Sequence, residues 1–310
     1  MSEGKILRIL RPAGVYLFIL LMGICVAFAL MVAVYALPTG RMLKNLKKSA
    51  DIISEEGAYP TLYGGEELRM EPDNLQDPKV FFLNTRGTAR DNVTDCTMLN
   101  IAVYDNQKGL VEKAMGNARA VYGYYYTVRE LEEYLTGNDG YSEEIYPWYW
   151  HGYLVVLKPL LLLLTYEQIR WLNVGVLSLL LIVLLWKLVR QNDSREDILF
   201  LCAVMFTAPI VIPFCMQYCT ISYIALIAML ILVIKKAQLS TKWVGNFFLL
   251  TGMVTSFIDF LTYPLLTLGL PLVYLLNVEK NMSFRQKCRK FVVPTFYGDW
   301  DMLECGRVNG

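Results

Sequence analysis

Apolar residues along this chain gather into long uninterrupted blocks rather than alternating with polar ones. The first block, Ala13 to Leu37, contains no charged residue. A bilayer core about 30 Å thick takes roughly 20 helical residues to cross, so this block predicts a transmembrane helix. It is too long for the apolar core of a signal peptide and lacks a small-residue cleavage site, so it reads as a retained helix. Five further blocks follow: Trp171–Val189, Ile198–Met216, Tyr218–Ile234, Trp243–Asp259 and Thr262–Val278. Pro209, Pro213, Pro264 and Pro271 lie within or beside them. Prolines are tolerated there because neighbouring helices in a bundle re-satisfy the freed carbonyls. The pattern therefore predicts an all-α integral membrane protein of about six transmembrane helices.

Between the first two blocks lies a different kind of sequence. Residues 38–152 have mixed charge and turn residues and predict a large, mainly helical outer loop. Within it Met42, Leu43, Leu46, Ala50, Ile52 and Ile53 share one helix face opposite Lys44, Lys47 and Lys48, a pattern suited to lying along lipid headgroups. Helices are expected over Thr94–Asp105, capped by Asp91 or Thr94, and over Thr127–Leu135, ended by Gly137. A turn is expected at Gly64–Gly65. The stretch Tyr146–Tyr153, YPWYWHGY, has the composition of an aromatic belt at a membrane interface. Residues 153–165 are too few to span and include Lys158 and Pro159, which predicts an interfacial or re-entrant segment.

Lysine and arginine counts then set the direction. Lys187, Arg190 and Arg195, then Lys235, Lys236 and Lys242, then Lys280, Arg285, Lys287, Arg289 and Lys290 occupy alternate short loops. The intervening loops hold none, which makes the basic set cytoplasmic. The division becomes a cytoplasmic N-terminus 1–12, helix one at 13–37, an outer loop 38–152, an interfacial segment 153–165, helices two to six within 171–278, and a cytoplasmic tail 279–310. Arg41, Lys44, Lys47 and Lys48 lie outside by this count, but they begin a loop far longer than the rule governs.

Composition agrees: 55% of the 310 residues are hydrophobic and only 18% charged, against about a quarter in soluble domains. No basic stripe or nucleic-acid motif is present, so a nucleic-acid partner is not expected. The seven cysteines form no CxxC pair, and with one histidine, His151, a multi-histidine metal site is excluded. No metal or soluble cofactor is expected.

The outer side collects the residues with chemistry to offer: Asp91, Asp95, His151, Lys158, Arg170 and Asp259. Asp95 has the character of a general base facing the membrane surface, or of a carboxylate stabilising a helix start. Asp259, at the end of an uncharged run, is placed to bind a cation or act as a base, or simply to cap a helix. Arg170 and Lys158 flank the interfacial segment and suit a lipid phosphate, although basic residues at helix ends also snorkel without any ligand. His151, among Trp and Tyr, also suits a structural hydrogen bond. Asn92-Val93-Thr94 matches a glycosylation sequon.

Three stretches, DNVTDCTMLNIA, YPWYWHGYLVVLKPLLLLLTYEQIRWLN and DFLTYPLLTLGLPL, resemble a family of large bacterial multi-pass membrane proteins. Those proteins look in outline like polyprenyl-phosphate-sugar-dependent glycosyltransferases of the GT-C type. The likeness runs from the first helix to about residue 290. It implies residence in the bacterial cytoplasmic membrane and an active site at the outer membrane face. It also implies a lipid-phosphate-linked sugar donor, Asp95 or Asp91 as the catalytic acid, and Arg170 and Lys158 on the lipid phosphate. GT-C enzymes place their first acid soon after helix one, where this chain has Asp51, Glu55 and Glu56. The tail TFYGDWDMLECGRVNG departs from the family, whose members continue through a WGxGYxGMWxxKW-like segment into further helices. Suitable codons for this tail read two bases later spell FLWGLGYAGMWAGKW, which implies a frameshifted, truncated member. A non-enzymatic transporter or envelope scaffold is the other function class compatible with these features.

Overall fold

A computed structural model describes residues 3–60, 90–190, 210–236, 239–259, 264–278 and 282–292, with residues 3–13 as backbone alone. Residues 198–209 of the predicted third span, the Gly64–Gly65 turn, residues 260–263 and the tail 293–310 lie outside the described residues. The described part is mostly helical. Helix α1 (Glu3–Tyr35) contains the first apolar block except its last two residues, Ala36 and Leu37. A polar section follows with α2 (Thr39–Lys47), α3 (Ala50–Glu56), α4 (Asn92–Val103), α5 (Leu110–Gly116) and α6 (Thr127–Thr136). Strands β1 (Arg119–Val121) and β2 (Ser142–Glu144) pair antiparallel, with Ala120 opposite Glu143. The chain then enters α7 (Leu154–Leu163), α8 (Tyr166–Arg190), α9 (Met216–Lys235), α10 (Thr241–Ile258), α11 (Pro264–Val278) and the short α12 (Phe284–Lys287).

Three helices are long and apolar enough to cross a membrane: Gly14–Tyr35 within α1, Tyr166–Arg190 and Met216–Lys235. Of the other predicted spans, the two that lie mostly within the described residues do not reach that standard. α11 has 15 residues, a rise of about 22 Å against a core of about 30 Å. α10 has 18 residues but carries Lys242 and Asn246. α7, within the segment expected at the interface, has ten residues and rises only about 15 Å.

Two apolar cores organise the molecule. The inner one joins the C-terminal half of α8 to α9, α10 and α11 through Leu184, Leu188, Leu232, Val244 and Leu275. The outer one surrounds α4, in which Cys96 and every residue from Met98 to Val103 are buried. A helix apolar on all sides must be enclosed on all sides. Here α2, α6, α7, β1 and the start of α9 enclose it. The face of α2 and α3 expected to meet headgroups takes part in this: Met42, Leu46 and Ile53 are fully buried, with α2 packed on α7. An amphipathic period marks a face that must be covered, and here protein covers it. α6 ends at Gly137, whose φ of +88° belongs to the left-handed region that glycine enters without a steric cost.

Candidate functional site

The acids come together where the N-termini of α4 and α9 meet. Asp91 caps α4, accepting from Thr94 N at 3.0 Å and from Thr94 Oγ1 at 2.8 Å. Gln217 Nε2 reaches the same carboxylate at 2.6 Å. Asp95, one turn on, is wholly buried. It accepts from the Tyr166 hydroxyl at 2.5 Å and from Met216 N at 2.9 Å, the first amide of α9. Both carboxylates therefore answer helix N-terminal amides, where negative charge is favoured. Burial pushes the Asp95 carboxyl up to about 7, against the pull of Arg170, Tyr166 and the Met216 amide.

The basic half comes from α8 and the chain before α4. Tyr166, Ile169, Arg170 and Asn173 face inward at helical spacing. The Arg170 guanidinium lies 4.3 Å from the centre of the Tyr166 ring. Its Nη1 donates to both oxygens of Glu56, at 3.0 and 2.8 Å, and its Nη2 to Asn92 Oδ1 at 2.9 Å. Glu56 also accepts from Arg90 Nη1 at 2.6 Å and from Asn92 Nδ2 at 3.1 Å. Although burial opposes it, this cationic and amide shell holds the Glu56 carboxyl below its usual range. The Nε atoms of Arg90 and Arg170 are buried and have no hydrogen-bond partner among the described residues.

Of the residues singled out in the sequence, Asp91, Asp95 and Arg170 thus share one cluster. Asp259 lies nearby, at the end of α10: Thr220 of α9, which donates to Gln217 O at 2.8 Å, also reaches Asp259 Oδ1 at 3.3 Å. Lys158 does not join them. It is fully buried at the other end of α4, where Nζ donates to Ala102 O at 2.7 Å and lies 4.3 Å from the centre of the Tyr35 ring. Burial brings its ammonium down to about 7, against the attraction of Asp105.

His151 also stands apart. Its ring nitrogens lie 3.2 Å from Tyr153 Oη and 2.8 Å from Tyr146 O, and burial lowers it to about 4. With φ of +53° it turns the chain so that Gly152 N donates to Phe257 O at 2.9 Å. A Cβ on Gly152 would fall 2.3 Å from that oxygen. The WHGY stretch is thereby joined to the end of α10, His151 positioning the contact.

Below the acidic cluster a cavity of about 670 Å³ lies among α7, α8, α9 and α10. Met98, Tyr153, Met216 and Thr220 line it toward the cluster, and Ile224, Ile231, Phe247 and Leu250 farther along. It follows α9 from Met216 to Ile231, about 22 Å at 1.5 Å per residue. Met98 is three residues from Asp95 on α4, and Met216 supplies the amide that binds Asp95. The acid is therefore one layer of side chains from an apolar slot. Among the described residues no three His, Cys, Asp or Glu side chains gather as a metal site requires.

Glu56, Arg90, Asn92, Tyr166 and Gln217 are the members of this cluster that sequence reasoning missed. The one sequence signal for Glu56 was its place soon after helix one. Compared with protein-family models, curated proteins and solved structures, the chain matches none of them.

Proposed function

We propose that this chain is a GT-C-like membrane glycosyltransferase, taking a sugar from a polyprenyl-phosphate carrier at the outer face of the bacterial cytoplasmic membrane. The observation that carries the reading is the juxtaposition of a long apolar slot with a buried acid whose pKa lies near neutrality. The slot suits a prenyl chain running along α9. Asp95 is the general base: it takes the proton of an acceptor hydroxyl as that oxygen attacks the sugar carbon and the carrier phosphate leaves. A base titrating near 7 is matched to that role. The spare Nε donors of Arg170 and Arg90 suit the departing phosphate, which Arg binds as a planar fork. Asp91 holds Gln217 and the start of α9 beside the acid. Met98 and Met216 screen Asp95, and their flexible side chains move aside for the acceptor. In this reading six helices cross, both termini are cytoplasmic and residues 38–152 are outside.

The test uses membranes containing the full chain, supplied with a polyprenyl phosphate carrying a tritiated hexose. Release of the labelled sugar from the carrier is expected for the wild type and lost in Asp95→Asn at equal membrane content. Retained transfer in Asp95→Asn, or no turnover by the wild type, overturns the proposal. The position of Asp259 against Thr220 at the cavity favours one other reading, a transporter. There, cation-dependent solute uptake into vesicles fails in Asp259→Asn and survives in Asp95→Asn.

A further inference from the structure

Helix α5, with the sequence LVEKAMG, places Leu110, Ala114, Val111 and Met115 on one continuous apolar arc. Ala114 is buried in the outer core alongside Met31 and Val34 of α1. The rest of the arc is bare, with Val111 55% and Met115 49% exposed. The segment after β2 extends the same surface. Tyr146 N donates to Gly116 O at 2.9 Å, and a Cβ on Gly116 would lie 3.6 Å from Ile145 Cγ2, so Ile145 borders the helix. Ile145 is 58% exposed, and Trp148, three residues on, is 79% exposed. Large apolar side chains grouped in this way on a polar domain mark an interaction surface.

The position of α5 relative to α1 says what covers them. From Val15 to Leu30 many large side chains of α1 are exposed, as on a helix surrounded by lipid. At Met31, Val34 and Tyr35 they become buried where the outer core closes around the helix. The Tyr35 hydroxyl donates to Asn117 Oδ1 at 2.9 Å, and Asn117 ends α5 in the left-handed conformation. The helix is thereby pinned at the level where α1 leaves the apolar layer. Glu112 lies outside the arc and pairs with Lys108 at 3.3 Å, a polar side suited to headgroups and water. Tryptophan concentrates at that depth.

The geometry points to a second lipid contact: α5 together with Ile145 and Trp148 rests in the outer leaflet beside α1, with phospholipid as its partner. This surface is separate from the cavity; its lipid contact stands whether or not the transferase reading does, and only the choice of leaflet rests on the topology of that reading.

Photocrosslinking tests it. Benzoylphenylalanine is placed at Met115 and, separately, at Trp148, in the full chain reconstituted into phosphatidylethanolamine–phosphatidylglycerol vesicles with tritiated acyl chains. Phe18 on the exposed face of α1 serves as the lipid reference. Asp139, in the exposed polar turn between α6 and β2, serves as the aqueous one. Both test positions are expected to take up label several-fold above Asp139 and to approach Phe18. Label at the Asp139 level, or crosslinking mainly to a second copy of the chain, overturns the assignment. Should replacing Trp148 lower the reconstituted yield, Met115 decides alone.

Discussion

The two ends of α4 bury opposite charges in different ways. At the N-terminal end Asp95 is answered by a hydroxyl, a backbone amide and the nearby Arg170, itself held by Glu56 and Asn92. At the C-terminal end Lys158 has one backbone carbonyl and the face of a tyrosine ring. Each charge complements the helix dipole, acid at the amide end and cation at the carbonyl end. Burial moves both groups to about 7, Asp95 upward and Lys158 downward. The acid binds the amide of Met216, which lines the cavity, whereas the Lys158 ammonium meets α4 and the Tyr35 ring of α1. Similar burial thus yields a candidate for chemistry at one end and a structural cap at the other, and access to a ligand separates the two.

The largest expected effect is at the networked end. Arg170→Met removes the cation that Glu56 chelates and Asp95 leans on, stranding buried negative charge at a cost of about 3–5 kcal/mol. Unfolding in detergent by rising SDS fraction measures it. Lys158→Met removes a cation with no directly paired carboxylate, so lost desolvation offsets the orphaned Ala102 carbonyl, and about 1 kcal/mol of either sign is expected. Equal losses in the two variants would erase the distinction between the ends. Tyr166→Phe falls between them: it deletes one bond to a buried carboxylate, about 1.5–3 kcal/mol, and drives the Asp95 pKa higher still.

Local patterns made much of this legible. The charge-free run at Ala13–Leu37 could only be a long apolar helix, and Gly137 marked the end of α6. Asp95 stood out as an acid at a helix start, fit for a general base or for the helix dipole, but its complete burial was not legible there. Glu56 did not stand out. In the sequence it is one of two adjacent glutamates near a glycine, and its meaning comes from Arg170, 114 residues away. Periodicity in α2 and α3 revealed a face to be covered, but the lipid and the protein that compete to cover it leave the same trace. Lys158 looked like a snorkelling cation because its partner is a backbone carbonyl, which no side-chain pattern encodes. The number of spans has the same limit: hydropathy marks segments willing to leave water, and α11 satisfies it with 15 described helical residues, a rise of about 22 Å.

The pH dependence of stability reports both ends in one experiment. Asp95 rises from 3.8 to about 7 on folding, so between those values the native state holds more of a proton than the unfolded chain. Its contribution to stability therefore falls as pH rises from about 4 to 7. Lys158 drops from 10.5 to about 7, so the unfolded chain is the more protonated form above neutrality, and its contribution climbs from pH 7 toward 10.5. His151, lowered to about 4, adds a rise below 6.5 that would mask the acid in the wild type alone. Differences between proteins remove that overlap. Wild type minus Asp95→Asn in melting temperature should slope downward through pH 4–7 and then level. Wild type minus Lys158→Met should be level there and slope upward above 7. Two flat difference curves would mean that neither charge is enclosed as described. A flat curve for Lys158 alone would mean that, of the two charges at the ends of α4, folding controls the ionisation of the acid only.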